Sequence, residues 1–139
     1  ELEVTESPLM GDPGEACAQL AEMRRWGVKI ALDDFGTGYS SMSILRQLPI
    51  DVMKIDRSFV VGLGTDDGAM AVTRAIVALA RPLRLHLVAE GIETEAQAEV
   101  LRSMGCDELQ GYLFSRPVPT DAFELLPGLR QGPALVPQD

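Results

Sequence analysis

Residues 30–41, IALDDFGTGYSS, decide the fold. The apolar run Ile30–Leu32 ends in two adjacent aspartates, Asp33 and Asp34, and a turn carrying Gly36, Thr37 and Gly38 follows. An apolar run closed by polar residues and glycine reads as the outgoing end of a strand buried on both faces, as in a parallel sheet. Neighbouring carboxylates repel, so the pair needs a positive partner. Gly36 and Gly38 permit positive φ and a close approach of backbone to a ligand. A glycine pair by itself equally fits an ordinary strand-to-helix turn.

Working outward, strand-like and helix-like patterns alternate. Leu2–Thr5 reads as a strand. Asp12 then reads as an N-cap, Pro13 as the first helical residue and Glu15 as a capping-box acid. Ala16, Leu20, Met23 and Trp26 follow at helical spacing, with Gly27 as the stop. VKIALDD is the second strand, and Ser40 or Ser41 caps a short helix through Leu48. DVMKID is the third strand. A helix runs from about Asp66 to Ala80, and RLHLVAE is the fourth strand. Thr94 caps a helix to Met104 that Gly105 ends. ELQGYLF is the fifth strand, Thr120 starts a last short helix, and the tail 128–139 is rich in Pro and Gly. Five strands separated by helices argue for a parallel α/β sheet, either open and doubly wound or part of an eight-stranded barrel.

In both architectures functional groups gather at the C-terminal ends of the strands. Here every strand carries a polar residue near that end. Glu3 lies in the first, Asp33 and Asp34 end the second, and Lys54 with Asp56 ends the third. Glu90 closes the fourth, ahead of Gly91 and Glu93, and Gln110 with Gly111 lies in the fifth. Any one of these has an ordinary structural explanation. All five together do not, because a buried acid costs several kcal/mol unless paired or metal-bound. Glu3, Asp33, Asp34 and Glu90 offer hard oxygen donors of the kind Mg²⁺ and Mn²⁺ prefer. Two such ions can activate a water and clamp a phosphodiester, with Lys54 beside the developing negative charge.

Composition narrows the partners. Among 139 residues, 21 acids against 12 bases give a formal charge of −9, which disfavours DNA, RNA and anionic membranes as partners. Cys17 and Cys106 are too few and too far apart for a disulfide framework or zinc site, and both sit in helical patterns as small apolar residues. The lone His86 reads as a packed or surface residue. No apolar run reaches the roughly 18 residues of a membrane span, and no signal peptide is evident, so a cytoplasmic location is expected.

The blocks LEVTES, ALDDFGTGYSS, LPIDVMKIDRSFV, VAEGIET and LQGYLFSRPVP resemble, in that order, successive motifs of the EAL domain, bacterial phosphodiesterases that hydrolyse cyclic di-GMP to pGpG. The resemblance runs to about Pro119. It implies a (β/α)₈ TIM-type barrel with one antiparallel strand and a catalytic pair of Mg²⁺ or Mn²⁺ ions. Glu3 matches a metal-binding glutamate, Asp33 the bridging aspartate and Asp34 its second-metal neighbour. Lys54 matches the lysine near the attacking water, Glu90 the metal-linked glutamate and Gln110 an active-site glutamine. Glu6 and Glu93 match acids that support the DFGTGYSS loop and the surroundings of the site. The Glu-Ala-Leu segment and a following asparagine ligand are absent, and a full barrel takes roughly 250 residues. Residues 1–127 therefore resemble the C-terminal part of an EAL domain, about five βα units of an incomplete barrel, with other signalling domains expected upstream.

Three functions follow as expectations. The first is a two-metal cyclic di-GMP phosphodiesterase whose isolated fragment, short of two ligands, is inactive. The second is an EAL-like receptor that binds the dinucleotide without cleaving it; the retained acids weigh against it. The third is a receiver-like phosphoacceptor domain, in which an aspartate pair and a lysine also occur. There the lysine follows the fifth strand, whereas Lys54 follows the pair by a single short βα unit. The open barrel edges would expose unpaired strand groups, for which a homodimer is the expected cover.

Overall fold

The computed structural model describes residues 1–6, 11–36 and 45–119. Thr37, Gly38, the helix start at Ser40 or Ser41, the helix at Thr120 and the tail lie outside the described residues. In chain order the elements are β1 (Leu2–Thr5), α1 (Pro13–Arg25), β2 (Ile30–Phe35), β3 (Val52–Ile55), α2 (Arg57–Val60), α3 (Asp67–Ala80), β4 (His86–Ala89), α4 (Glu95–Met104) and β5 (Glu108–Leu109). The strands form one parallel sheet in the order β1-β2-β3-β4-β5. A doubly wound sheet reverses direction at a switch point. This one advances in a single direction, which is the wall of a barrel.

Side-chain alternation assigns the two faces. Ile30, Leu32, Met53, Ile55, Leu87 and Ala89 join Leu20, Ile76, Val77, Ala80, Ala98 and Leu101 in the main core, sandwiched between sheet and helices. The opposite face carries the small apolar cluster Ala31, Val52 and Val88. On that same alternation lie Glu3, level with Ala31, and Asp33, Lys54 and Glu90, nearer the outgoing strand ends.

Helix ends follow local chemistry. The Asp12 carboxylate accepts the Glu15 amide at 3.0 Å, and Asp66 accepts that of Gly68 at 2.8 Å. The expected capping-box acid, Glu15, instead accepts from Gln19 within the helix. A reciprocal box forms on α4, where Gln97 Oε1 accepts the Thr94 amide and Thr94 Oγ1 accepts that of Gln97. Gly105 closes that helix at φ 89°. Cys106 therefore lies beyond α4, not in it, and its thiol donates to the carbonyls of Leu87 and Glu108.

Two further differences from the sequence reading concern one strand and one helix. The fifth is only Glu108–Leu109, because the chain turns at Gly111, whose carbonyl accepts from Phe114 and Ser115. The helix α2 was not anticipated; Asp56 caps it by accepting the Ser58 amide at 2.9 Å.

One device occurs twice at the incoming strand ends. Asp51, ahead of β3, accepts the Ile30 amide at 3.0 Å and pairs with Arg24 in the last turn of α1 at 2.7 Å. Asp107, ahead of β5, accepts the Leu87 amide at 2.9 Å and pairs with Arg81, the C-cap of α3, at 3.2 Å. Each aspartate ties a strand start to the helix that precedes it. Only these few positions recur, so no repeat is visible in the sequence.

Candidate active site

Lys54 is the centre of the site. Its side chain is 9% exposed, and its ammonium lies 2.7 Å from Glu3 Oε1, 2.7 Å from Glu90 Oε1 and 3.5 Å from Asp33 Oδ1. Four strands thus deliver one cation and three carboxylates to the same rim. Burial alone would lower the lysine pKa, but hydrogen bonds to Glu3 and Glu90 and the charges of Glu90 and Asp33 overcome it and hold Lys54 well above its ordinary value. Lys54 is a permanent cation near neutral pH and no proton acceptor.

The aspartate pair owes its geometry to a bulge. The β2–β3 register shifts between Leu32 and Phe35, and Asp34 adopts φ 55°, in the left-handed region. A bulge bends the strand and re-aims side chains. Asp33 Oδ1 accepts the Asp34 amide at 3.0 Å while facing Lys54. Desolvation by its neighbours, then the charges of Asp33 and Asp56, push the exposed Asp34 carboxyl above the usual carboxylate range. Asp56 itself is lowered, first by its hydrogen bonds from Ser58, and its capping role accounts for it.

The remaining expected residues divide. Buried Glu6 reaches the start of the glycine turn, its Oε1 accepting the Gly36 amide at 2.8 Å; its Oε2 has no hydrogen-bond partner among the described residues. Glu93 pairs with Arg57 at 2.7 Å, not with a described residue of that turn. The Gln110 backbone extends the β4 ladder through Ala89 and Ile92, and its exposed side chain lines a cleft of about 260 Å³ beside Glu90. Arg57 and Tyr112 line the same cleft. Neither was singled out from the sequence, although each sits inside a quoted motif, next to Asp56 and Gly111. His86 is exposed, its Nε2 3.4 Å from Glu108 Oε2.

Among the described residues no three His, Cys, Asp or Glu side chains are pre-arranged around a common metal position. Three hard oxygen donors nevertheless already surround a cation, the Lys54 ammonium, and Asp34 stands beside them under net negative potential. The donor set therefore suits a hard divalent ion. Among the described residues no helix is long and apolar enough to cross a membrane.

Comparisons with known proteins bear on the family and the fold. The family model described as EAL domain matches residues 1–117. The chain is 48% identical over 124 residues to the cyclic di-GMP phosphodiesterase NbdA of Pseudomonas aeruginosa, covering 89% of this chain and 16% of that protein. It is 50% identical over 120 residues to the bifunctional diguanylate cyclase/cyclic di-GMP phosphodiesterase MucR of the same organism, covering 86% and 18%. The solved MucR phosphodiesterase–cyclic di-GMP complex superposes with TM-score 0.83 at 49% identity, over 88% of this chain and 49% of that one. Klebsiella pneumoniae BlrP1, in a manganese/cyclic di-GMP complex, gives TM-score 0.76 at 36% identity, over 83% and 29%. The chain thus spans under a fifth of these curated relatives and about half of the solved MucR domain.

Proposed function

The chain belongs to the EAL domain family, and from that premise we propose that it is the C-terminal part of a metal-dependent phosphodiesterase hydrolysing cyclic di-GMP to pGpG. The observation that carries the reading is the single ammonium of Lys54, contacted by carboxylates from three other strands at the C-terminal rim of a barrel wall. Glu3, Asp33, Asp34 and Glu90 are the residues that would hold Mg²⁺ or Mn²⁺. Such ions supply Lewis acidity toward a phosphodiester and lower the pKa of a water. Relatives whose names or titles carry the activity and a manganese/cyclic di-GMP complex support the assignment.

The chain's own contribution is electrostatic and geometric. Lys54, protonated and nearly buried, presents fixed positive charge where the phosphorane-like transition state gathers negative charge, with little reorganisation. Water adds to phosphorus in line as the P–O3′ bond breaks, and the proton the water loses is balanced, through solvent, by the one the departing 3′-oxygen takes up. Gln110 offers an amide at the cleft edge, and Glu6 holds the Gly36 backbone so that the turn begins from a fixed point. A cytoplasmic location and partner signalling domains in the same protein accompany this reading. In the protein that carries the chain, Asp33→Asn is expected to cut pGpG formation with Mn²⁺ at least about 100-fold, in line with losing one group of an electrostatic site. Wild-type turnover in that variant, measured by chromatography of product, would refute the assignment.

A further inference from the structure

Arg57 bridges the outgoing loops of two strands. It follows Asp56 as the first residue of α2, three positions after Lys54 on the β3 side. Across from it, on the β4 side, Gly91 has φ +68° and follows Glu90 directly. A Cβ on Gly91 would overlap the Cβ, Cγ and Cδ atoms of Arg57, so the arginine stem lies flat on the bare Gly91 backbone. Beyond the stem, the guanidinium reaches Glu93 at 2.7 Å. One side chain therefore spans 91 to 93, covering the loop that presents Glu90. Besides the backbone bond from the Glu90 amide to the Ile55 carbonyl, side chains join the ends of β3 and β4 at two places: Lys54–Glu90 at the rim, and Arg57 across Gly91 to Glu93.

We propose that Arg57 is a positioning residue that fixes the Glu90 carboxylate by clamping segment 90–93. The Arg57–Glu93 pair is exposed, 60% and 47% at the side chains, and so adds little to global stability. The packed stem on a residue without a side chain restrains the backbone immediately after Glu90. Asp56 fixes the arginine from its own side by capping α2. The glycine is part of the device, because no other residue leaves room for the stem.

The inference rests on the proposed metal-dependent reading, and two independent measurements separate its failure from that of the reading. Both use the protein that carries the chain, with Arg57→Ala, Arg57→Lys and a Glu90→Ala control. Hydrogen exchange in the metal-free protein reports the clamp alone. Arg57→Ala should raise exchange of the Ile92 and Glu93 amides, bonded to Gln110 O and Gln97 Oε1, at least about ten-fold, while β3 and β4 amides keep their protection. Arg57→Lys, which keeps most of the stem and the charge, should recover most of that protection. Mn²⁺ titration by electron paramagnetic resonance should show affinity weakened about ten-fold in Arg57→Ala and more in Glu90→Ala. Unchanged exchange in Arg57→Ala overturns the clamp whatever the metal result. Raised exchange with unchanged Mn²⁺ affinity overturns the positioning of Glu90, provided Glu90→Ala weakens binding. Unchanged Mn²⁺ affinity in Glu90→Ala refutes the metal role of Glu90 and, with it, the purpose assigned to Arg57.

Discussion

Replacing Lys54 by methionine removes the one ammonium that Glu3, Asp33 and Glu90 share. Removing one partner of a buried ion pair costs about 3–5 kcal/mol when the other charge stays buried. That figure needs a discount, because the Glu3 side chain is 53% exposed and those of Asp33 and Glu90 are 22% and 25% exposed. Water can reach all three carboxylates, which leaves a loss of about 2 kcal/mol without divalent cation. For a domain of this size that is a fall in Tm of roughly 6 °C. Divalent cation reverses it, since an ion bound by the same carboxylates supplies the missing positive charge. Ligand at about 100 times its Kd adds roughly 2.7 kcal/mol to a folded state, and the variant gains more than wild type because no ammonium competes. Thermal unfolding in EDTA and in saturating Mn²⁺, at pH 7.5, measures both deficits. The deficit should shrink to below about 1 kcal/mol with metal, while turnover stays lost. The raised Lys54 pKa makes the wild-type stabilisation complete below the unfolded lysine value of about 10.4 and lost only as pH rises through the higher folded value. The EDTA deficit should therefore be constant from pH 7 to 9. Equal Tm in EDTA, or a deficit that Mn²⁺ leaves untouched, would refute the idea that lysine and metal neutralise the same acids.

Two further outcomes follow from contacts away from Lys54. Burial tends to raise the Asp107 pKa, but the Leu87 amide and Arg81 overcome it and hold it below the usual value. Its contribution is thus present above about pH 3.9 and lost as pH falls through the lower folded value. Asp107→Ala, which strands the Leu87 amide, should cost about 1–3 kcal/mol at pH 7 by urea unfolding, with the gap to wild type narrowing below pH 4. At Gly111 an added Cβ would overlap the backbone N and O of Ile92. Gly111→Ala should destabilise by about 2 kcal/mol and separate the Gln110 loop from segment 90–93, seen as a lower urea midpoint together with reduced activity.

The sequence by itself determined what local chemistry can write. Asp12 and Thr94 cap helices as short polar side chains do in any chain, and Gly105 accepts the left-handed turn that ends α4. Apolar runs of strand length located β1 to β4, and ordered motifs led to the family that residues 1–117 match. Polar residues near the strand ends were legible as a group, and of these Lys54 meets Glu3, Asp33 and Glu90 in the fold. Open sheet and barrel wall share the same βα pattern; the motif resemblance implied the barrel, and the unreversed strand order shows it in the fold. Tertiary structure alone decided the rest. The bulge at Asp33–Asp34, the two-residue length of β5 and the arginine lying on Gly91 arise from register and close approach between segments distant in the chain. Capping joins residues two or three positions apart and so leaves a mark in the sequence. A backbone without a side chain, met by an arginine from another strand's loop, leaves only a glycine that could serve any turn.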